Sequence, residues 1–210
     1  MRTKSAAKRQ AILDAAAAIF QEQGFERTSM EDIRKRADFS KATLYSYFPS
    51  KEELFMEIVI DATDAQFQAT LDALGPGGED IGQALISFGT RFLTLLYLTP
   101  VAAVRRLVVS EAGRSELGRK CFEIGPVRSM AVVADYLEAA MAQGKLKRAD
   151  PRLAALQLKG LLEAEWIAPF MFQTLDAPPT EALAASVERA VAVFMAAYGP
   201  VRAAGKKNKP

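Results

Sequence analysis

Apolar residues recur at helical spacing along almost the whole chain, and glycine or proline interrupts the pattern at intervals. In the first such segment, Ile12, Ala16 and Ile19 fall on one helical face. No useful stretch alternates between apolar and polar residues as a half-buried strand would. The pattern therefore predicts an all-α fold of about nine or ten helices, with approximate ranges 5–23, 29–36, 40–46, 50–73, 79–98, 100–112, 114–124, 126–143, 151–174 and 180–198.

The absence of histidine excludes several classes of function. Without it the chain has no histidine acid–base group, triad or metal ligand, and the single cysteine excludes a disulfide framework or a cysteine-rich metal centre. We therefore expect no catalytic residues, no metal site and no cofactor. The longest charge-free stretch, Phe92–Val104, has 13 residues and contains Pro100, which is too short for a membrane span. A cytoplasmic protein without membrane contact is expected.

The small net charge of +2 conceals an uneven distribution. Residues 1–51 hold ten basic and six acidic side chains, whereas residues 52–201 hold 13 basic and 19 acidic ones. The last nine residues add four basic side chains and no acidic one. A clustered basic face is typical of a protein that binds a polyanion, although a soluble protein with uneven surface charge fits the same counts.

Two short predicted helices near the N-terminus are joined by Ala37-Asp38-Phe39, which is the spacing of a helix-turn-helix. Apolar residues of the first three helices, including Ile33 and Leu44, can form a small core. The remaining side chains of the third helix can bond to bases or phosphates, namely Lys41, Ala42, Thr43, Tyr45, Ser46 and Tyr47. Taken alone, so short a helix favours the alternative interpretation, a polar, solvated helix with its two tyrosines packed sideways.

Residues 24–54, GFERTSMEDIRKRADFSKATLYSYFPSKEEL, closely resemble the DNA-binding signature of the TetR family of bacterial transcriptional regulators. The resemblance covers roughly residues 8–60 and depends on several motifs at fixed spacing, among them Thr43-Leu44-Tyr45 and Lys51-Glu52-Glu53-Leu54. The sequence departs from the family at Asp38, where glycine is usual. Since aspartate tolerates a left-handed backbone better than most residues, we expect the turn to survive.

The resemblance implies a helical homodimer whose two helix-turn-helix heads bind a palindromic operator in double-stranded DNA. It places the head at residues 1–50, continuing into a linking helix at about 50–73, and a ligand-binding and dimerisation body at 51–200. Residues 201–210 are expected to form a disordered basic tail. By matching position, the base-facing residues are Lys41, Ala42 and Tyr45. The expected phosphate contacts are Thr28, Ser29, Ser40, Thr43, Ser46, Tyr47 and Lys51.

The body resembles the C-terminal domain of an AefR-like branch of the same family in residues 108–126. The family dimerises through its last two long helices, which implies an interface containing Leu153, Leu156, Leu183, Val187, Val191 and Phe194. The alternative is that these residues form ordinary intrachain core. An adaptable apolar pocket for an unknown small-molecule effector is predicted from Phe88, Phe92, Leu96, Met130, Glu163, Trp166 and Phe170.

Several alternatives stay open at the level of sequence. Glu163 and Glu165 are compatible with salt bridges or with a cationic effector, whereas Arg105 and Arg106 favour an anionic one. The leading hypothesis is a ligand-responsive repressor. The other hypotheses are a helical enzyme or binding protein in which the head is only structural, and an activator or chromosome-associated protein with the same head.

Overall fold

The computed structural model describes residues 5–75, 80–97, 99–111, 113, 116–174 and 178–200. The expected basic tail, 201–210, lies outside them. The helices are α1 (Ala6–Gln23), α2 (Met30–Ala37), α3 (Lys41–Tyr47), α4 (Lys51–Asp72), α5 (Ile81–Tyr97), α6 (Thr99–Ser110), α7 (Leu117–Phe122), a π-helical segment (Glu123–Val127), α8 (Arg128–Ala142), α9 (Pro151–Glu163), α10 (Ile167–Met171) and α11 (Thr180–Tyr198).

The predicted all-α class is confirmed. The described ranges contain helices and no strand, and they form ten helices when the uninterrupted run from α7 through the π segment to α8 is counted as one. Where a cap fixes a helix end, the predicted bounds agree to within about one residue. Gly24, for example, ends α1 with a positive φ of 82°, a conformation that glycine adopts at no steric cost.

Two predicted boundaries in the body are wrong. Gly125-Pro126 was expected to start a helix, but both residues lie inside the π segment, whose wider hydrogen-bond spacing accommodates proline within a helical run. The helix expected over 151–174 ends at Glu163 and resumes as α10 after a turn at Ala164–Trp166. Pro169 explains this interruption, because proline has no N–H to donate to the carbonyl of Glu165, four residues earlier.

The chain forms two compact units, and they do not coincide with the division predicted from the sequence. The first unit contains Met1–Asp64 and Pro100–Cys121, and the second contains Ala65–Thr99 and Phe122–Pro210. Most of α6 and α7 therefore belongs with the N-terminal helices, whereas the sequence assigned both to the body. Helix α4 passes from one unit into the other at residues 64–65.

The first unit has two hydrophobic clusters. One joins α1, α2, α3 and the start of α4 around Ile12, Ile33, Leu44 and Leu54, which are all fully buried. In the other, Met56 and Val59 of α4 pack with residues of α6 and α7, namely Val104 and Leu117. Cys121 is half-buried against this second cluster, and burial raises the pKa of its thiol.

In the second unit, α11 packs against α5 and α9, and α9 also packs against α8. The three helices α5, α9 and α11 approach closely at Gly89. A Cβ atom added there would lie 2.7 Å from the Leu162 side chain and 2.8 Å from that of Val187. A larger residue at this position would therefore require the side chains of Leu162 and Val187 to shift.

Candidate DNA-binding surface

Helix α2 begins at a capping box. The Ser29 hydroxyl accepts a hydrogen bond from the Asp32 N–H at 3.2 Å, and the Asp32 carboxylate accepts one from the Ser29 N–H at 3.0 Å. The Ser29 hydroxyl also donates to the Asp32 carboxylate at 2.6 Å, and this bond, together with the one from the Ser29 N–H, lowers the pKa of Asp32.

The turn between α2 and α3 depends on Asp38 and Arg34. Asp38 has φ 54° and ψ 45°, which confirms that aspartate adopts the left-handed conformation here. Arg34 makes two hydrogen bonds to the Glu31 carboxylate, at 2.7 and 2.9 Å, and a third to the carbonyl of Phe39 at 3.3 Å. The Arg34 guanidinium holds the pKa of Glu31 below its ordinary value. Arg34 therefore connects α2 to the turn that leads into α3.

One face of α3 is anchored and the other is open. Leu44 is fully buried in the head core, and the Ser40 hydroxyl caps the helix by accepting a hydrogen bond from the Thr43 N–H at 3.1 Å. The open face carries the exposed residues Lys41, Ala42, Tyr45 and Ser46. The Lys41 ammonium lies 5.8 Å from the centre of the Tyr45 ring. A cation, an aromatic ring and small groups thus share one surface that can meet base edges.

Ser46 and Tyr47 at the end of α3 differ in exposure. The Ser46 hydroxyl donates to the carbonyl of Thr43 at 2.7 Å and remains at the surface. The Tyr47 ring packs against the head core, and its hydroxyl oxygen accepts a hydrogen bond from the Ser5 N–H at 2.8 Å. Tyr47 thereby connects the end of α3 to the start of α1.

Two of the residues expected at phosphates have intramolecular roles instead. Thr28 is only 2% exposed, and its hydroxyl donates to the carbonyl of Gly24 at 2.7 Å. The Lys51 ammonium contacts three backbone carbonyls of the connection between α1 and α2. The burial of Thr28 contradicts the expectation that its side chain contacts DNA. The expected contact of Lys51 with a phosphate stays a prediction, and its ammonium has three carbonyl partners in the DNA-free chain. These long-range partners are not visible in a local motif.

The residues expected to line an effector pocket lie in the second unit, and three of the seven are buried phenylalanines. The Phe88 and Phe92 rings stack with their centres 5.5 Å apart, and Phe170 packs edge-on against Tyr97 at 5.6 Å. The Trp166 indole N–H donates to the Ser186 hydroxyl at 2.8 Å. Leu96 and Met130 are half-buried. Sequence reasoning did not identify Tyr97 or Ser186 as members of this group.

The acidic residues of the same region form salt bridges. Glu163, which is buried, pairs with Lys159 on the preceding helical turn. The carboxylate of Glu165 accepts two hydrogen bonds from Arg189 of α11, at 2.6 and 2.9 Å. The bonds from Arg189 lower the pKa of Glu165. Of the two interpretations that the sequence left open for these glutamates, the structure therefore favours the salt bridge.

The expected dimer face of α11 is wrong, because it is core within a single chain. Leu183, Val187, Val191 and Phe194 are all buried in the second unit. By contrast, Leu153 and Leu156 of α9 are exposed, as an interface requires. Helix α11 is apolar around most of its circumference, so periodicity did not distinguish its inner face from its outer one. The exposed side contains small apolar residues, namely Ala185, Ala192, Val193, Ala196 and Ala197.

A helical chain with a buried head core, a left-handed turn and an open third helix has the architecture of a helix-turn-helix transcriptional regulator. Comparison with known families agrees. Residues 12–58 match the model of bacterial regulatory proteins of the tetR family, and residues 83–200 match the C-terminal domain of AefR-like transcriptional repressors. The chain belongs to the TetR family of DNA-binding transcriptional regulators, and its relatives are regulators, not enzymes.

Solved structures and curated relatives support this assignment over different lengths. A TetR-family regulator from Mesorhizobium loti is 30% identical with a TM-score of 0.77, and the flavonoid-responsive regulator FrrA is 32% identical with a TM-score of 0.69. Each match covers 94% of this chain and 100% of the other. The regulator YfiR of Bacillus subtilis is 35% identical over 37% of this chain and 46% of its own length. The A-factor receptor protein of Streptomyces griseus is 36% identical over 35% of this chain and 28% of its own.

No single helix among the described residues is both long and apolar enough to cross a membrane.

Proposed function

We propose that the protein is a repressor that binds a palindromic operator as a homodimer and releases it when a small-molecule effector binds the second unit. The open face of α3 is the observation that carries the proposal. Leu44 is buried in the head core and holds α3 in place, while Lys41, Ala42 and Tyr45 are exposed on the opposite side of the helix. A recognition helix requires this combination, because base edges are read by side chains on a rigidly held element.

Phosphate contacts would surround this face. Ser29, Ser40, Thr43, Ser46 and Tyr47 carry the hydroxyls that remain from the expected set once Thr28 is excluded by burial. Hydroxyls bound to phosphate fix the orientation of the protein on the duplex and contribute little sequence information. Specificity would therefore reside mainly in Lys41, Ala42 and Tyr45.

Dimerisation would use the exposed sides of α9 and α11, which pack against each other within the second unit. The exposed residues of α9 and the following turn include Leu153, Leu156, Gly160 and Ala164. A Cβ atom at Gly160 would meet nothing within 4 Å in the single chain, so a partner helix has room to approach there. Together with the small residues on the outer side of α11, this face suits the close packing of a four-helix dimer bundle.

The effector would be largely apolar. Stacked and edge-on aromatic rings dominate the region around Phe88, Phe92 and Phe170, and the nearby acidic side chains already pair with basic ones. Two of the relatives carry names that refer to a signal: FrrA is a flavonoid-responsive regulator, and the other is the A-factor receptor protein. A ligand that binds more tightly to a conformation of the dimer unable to bind the operator would shift the population toward that conformation and release the DNA.

Selection of bound sequences from a random pool of duplex DNA tests the proposal directly. We expect a palindrome whose half-sites lie about one helical turn apart, because the two heads of a dimer enter successive major grooves. Chains that bind DNA without sequence preference would contradict the proposal. A promoter fusion that carries the selected site then tests the sign of regulation, since repression predicts lower transcription when the protein is present.

A further inference from the structure

The side chain of Lys51, the first residue of α4, is fully engaged within its own chain. Its ammonium lies 3.1 Å from the carbonyl oxygen of Phe25, 3.2 Å from that of Thr28 and 3.4 Å from that of Glu26. It also lies 4.4 Å from the centre of the Phe25 ring. A lysine ammonium has three N–H donors, and the three carbonyls match that number. A phosphate could recruit this group only if carbonyls were released.

These carbonyls belong to the connection between α1 and α2, residues 24–29, which aromatic packing also holds in place. The Phe25 ring lies 5.7 Å from Phe20 of α1 and 5.0 Å from Phe55 of α4, centre to centre. Thr28 is buried and bonds back to Gly24. Two contacts therefore hold the connection against α4, the Lys51 ammonium with the backbone carbonyls and the Phe25 ring with Phe55. Helix α2 begins immediately after the connection, at its cap residue Ser29.

We infer that Lys51 is a positioning residue for DNA binding, holding the α1–α2 connection against the first turn of α4 so that α2 and α3 keep the orientation that operator recognition requires. This inference rests on the proposed function. It assigns Lys51 an indirect role, in which its charge satisfies backbone carbonyls and does not neutralise a phosphate. The two roles predict different effects on DNA binding, because loss of a phosphate contact weakens all DNA sequences alike and lowers the salt dependence of binding.

The test compares Lys51→Met, which keeps the apolar stem and removes the donors, with Lys51→Arg, which restores them. Lys35→Met is the matched control, because Lys35 is an exposed lysine of the same head and its loss changes the net charge equally. Unpaired carbonyls and a loosened connection should lower operator affinity of Lys51→Met about tenfold. Non-specific affinity and the salt slope should follow the Lys35→Met control, and Lys51→Arg should bind the operator within about threefold of the parent.

Hydrogen exchange on the DNA-free protein provides an independent readout. Peptides covering residues 24–30 should exchange faster in Lys51→Met than in the parent and in Lys35→Met, at a temperature where all three are folded. If Lys51→Met is too unstable to measure, Lys51→Gln, which keeps two donors, takes its place and should show the same direction.

Unchanged hydrogen exchange of residues 24–30 in Lys51→Met overturns the inference. The inference is also overturned if Lys51→Met loses affinity equally for operator and non-specific DNA and its salt slope is lower by about two units per dimer. If the parent itself selects no sequence, the proposed function fails, while the exchange experiment still decides whether Lys51 holds the connection.

Discussion

At the scale of single residues, neighbouring positions of similar chemistry have opposite environments. Val191 and Val193 both lie in α11, two residues apart, yet Val191 is 2% exposed and Val193 is 54% exposed. Lys41 and Lys51 are both head lysines, but Lys41 is exposed on α3, whereas Lys51 bonds to three carbonyls. A substitution at one member of such a pair is therefore a control for the other.

Glutamate at Val191 or Val193 should separate folding from assembly. Val191→Glu places a carboxylate in the core of the second unit and should lower the free energy of unfolding by about 4 kcal/mol or more. Val193→Glu should leave each chain folded and weaken the dimer, because like charges would meet across the proposed interface. Thermal unfolding and light scattering measure the two effects. A folded, fully dimeric Val193→Glu protein would show that the interface lies elsewhere.

Lys41→Ala should relax sequence specificity, since side chains at the start of a recognition helix reach base edges. We expect a loss of roughly 1–3 kcal/mol per half-site on the preferred operator and a smaller loss on variants altered at the base that Lys41 contacts. Titration of single-base operator variants across a salt series measures this, with Lys35→Ala as the charge-matched control. An equal loss on every variant would make Lys41 a phosphate contact.

The Glu165–Arg189 pair predicts a small, pH-dependent contribution to stability. Hydrogen bonds from Arg189 lower the pKa of Glu165 in the folded state, so the contribution is present above the unfolded pKa of glutamate. It is lost as the pH falls through the lower, folded value. Because both side chains are largely exposed, Glu165→Gln should lower the stability only slightly at neutral pH. Urea unfolding of both proteins should give curves that converge in acid, and a gap that persists there would contradict the ion-pair explanation.

At the scale of helices and turns, local chemistry made the head predictable and long-range packing limited the prediction of the body. The bounds of α1, α2 and α3 follow from caps at Ser29 and Ser40 and from Gly24 and Asp38, all of which act within a few residues. The outer face of α11 depends on which neighbours cover it. Lys51 and the α1–α2 connection are more than 20 residues apart in sequence, so no local pattern could reveal their contact.

The turn between α9 and α10 offers a spectroscopic probe, because Trp166 is the only tryptophan. An effector that binds beside Phe170 should change its emission at the same concentrations that release operator DNA. Ser186→Ala removes the acceptor of the indole N–H and should shift the emission of the ligand-free protein while costing about 1–3 kcal/mol of stability. Release of DNA by an effector that leaves the emission unchanged would place the pocket away from Trp166.

At the scale of the whole molecule, the chain crosses between the compact units three times, at residues 64–65, 99–100 and 121–122. The buried residues of the helix-turn-helix core lie between Ile12 and Leu54, whereas the second cluster of the first unit needs Val104 and Leu117 in addition to Met56 and Val59. The head core is therefore built from one continuous segment of the chain, whereas the unit that contains it is built from two segments.

A fragment ending at residue 64 should consequently be less stable than the same helices in the full chain. Removal of α6 and α7 exposes Met56 and Val59 and removes the 2.8 Å ion pair between Lys120 and Glu53. Exposing two such side chains should cost about 3 kcal/mol or more. Hydrogen exchange of α1–α3 in the fragment and in the full chain measures the difference, and equal protection would show that the head core is self-sufficient.

The interrupted course of the first unit also constrains how the protein emerges from a ribosome. The residues of α4 that need α6 and α7 are synthesised first, and their partners follow only after α5, a helix of the other unit, has been made. At roughly 5–20 residues per second, residue 121 follows residue 64 by about 3–11 s. During that interval Met56 and Val59 have no partners from α6 or α7, so the nascent chain presents an apolar strip that chaperones can bind before the regulator reaches its first operator.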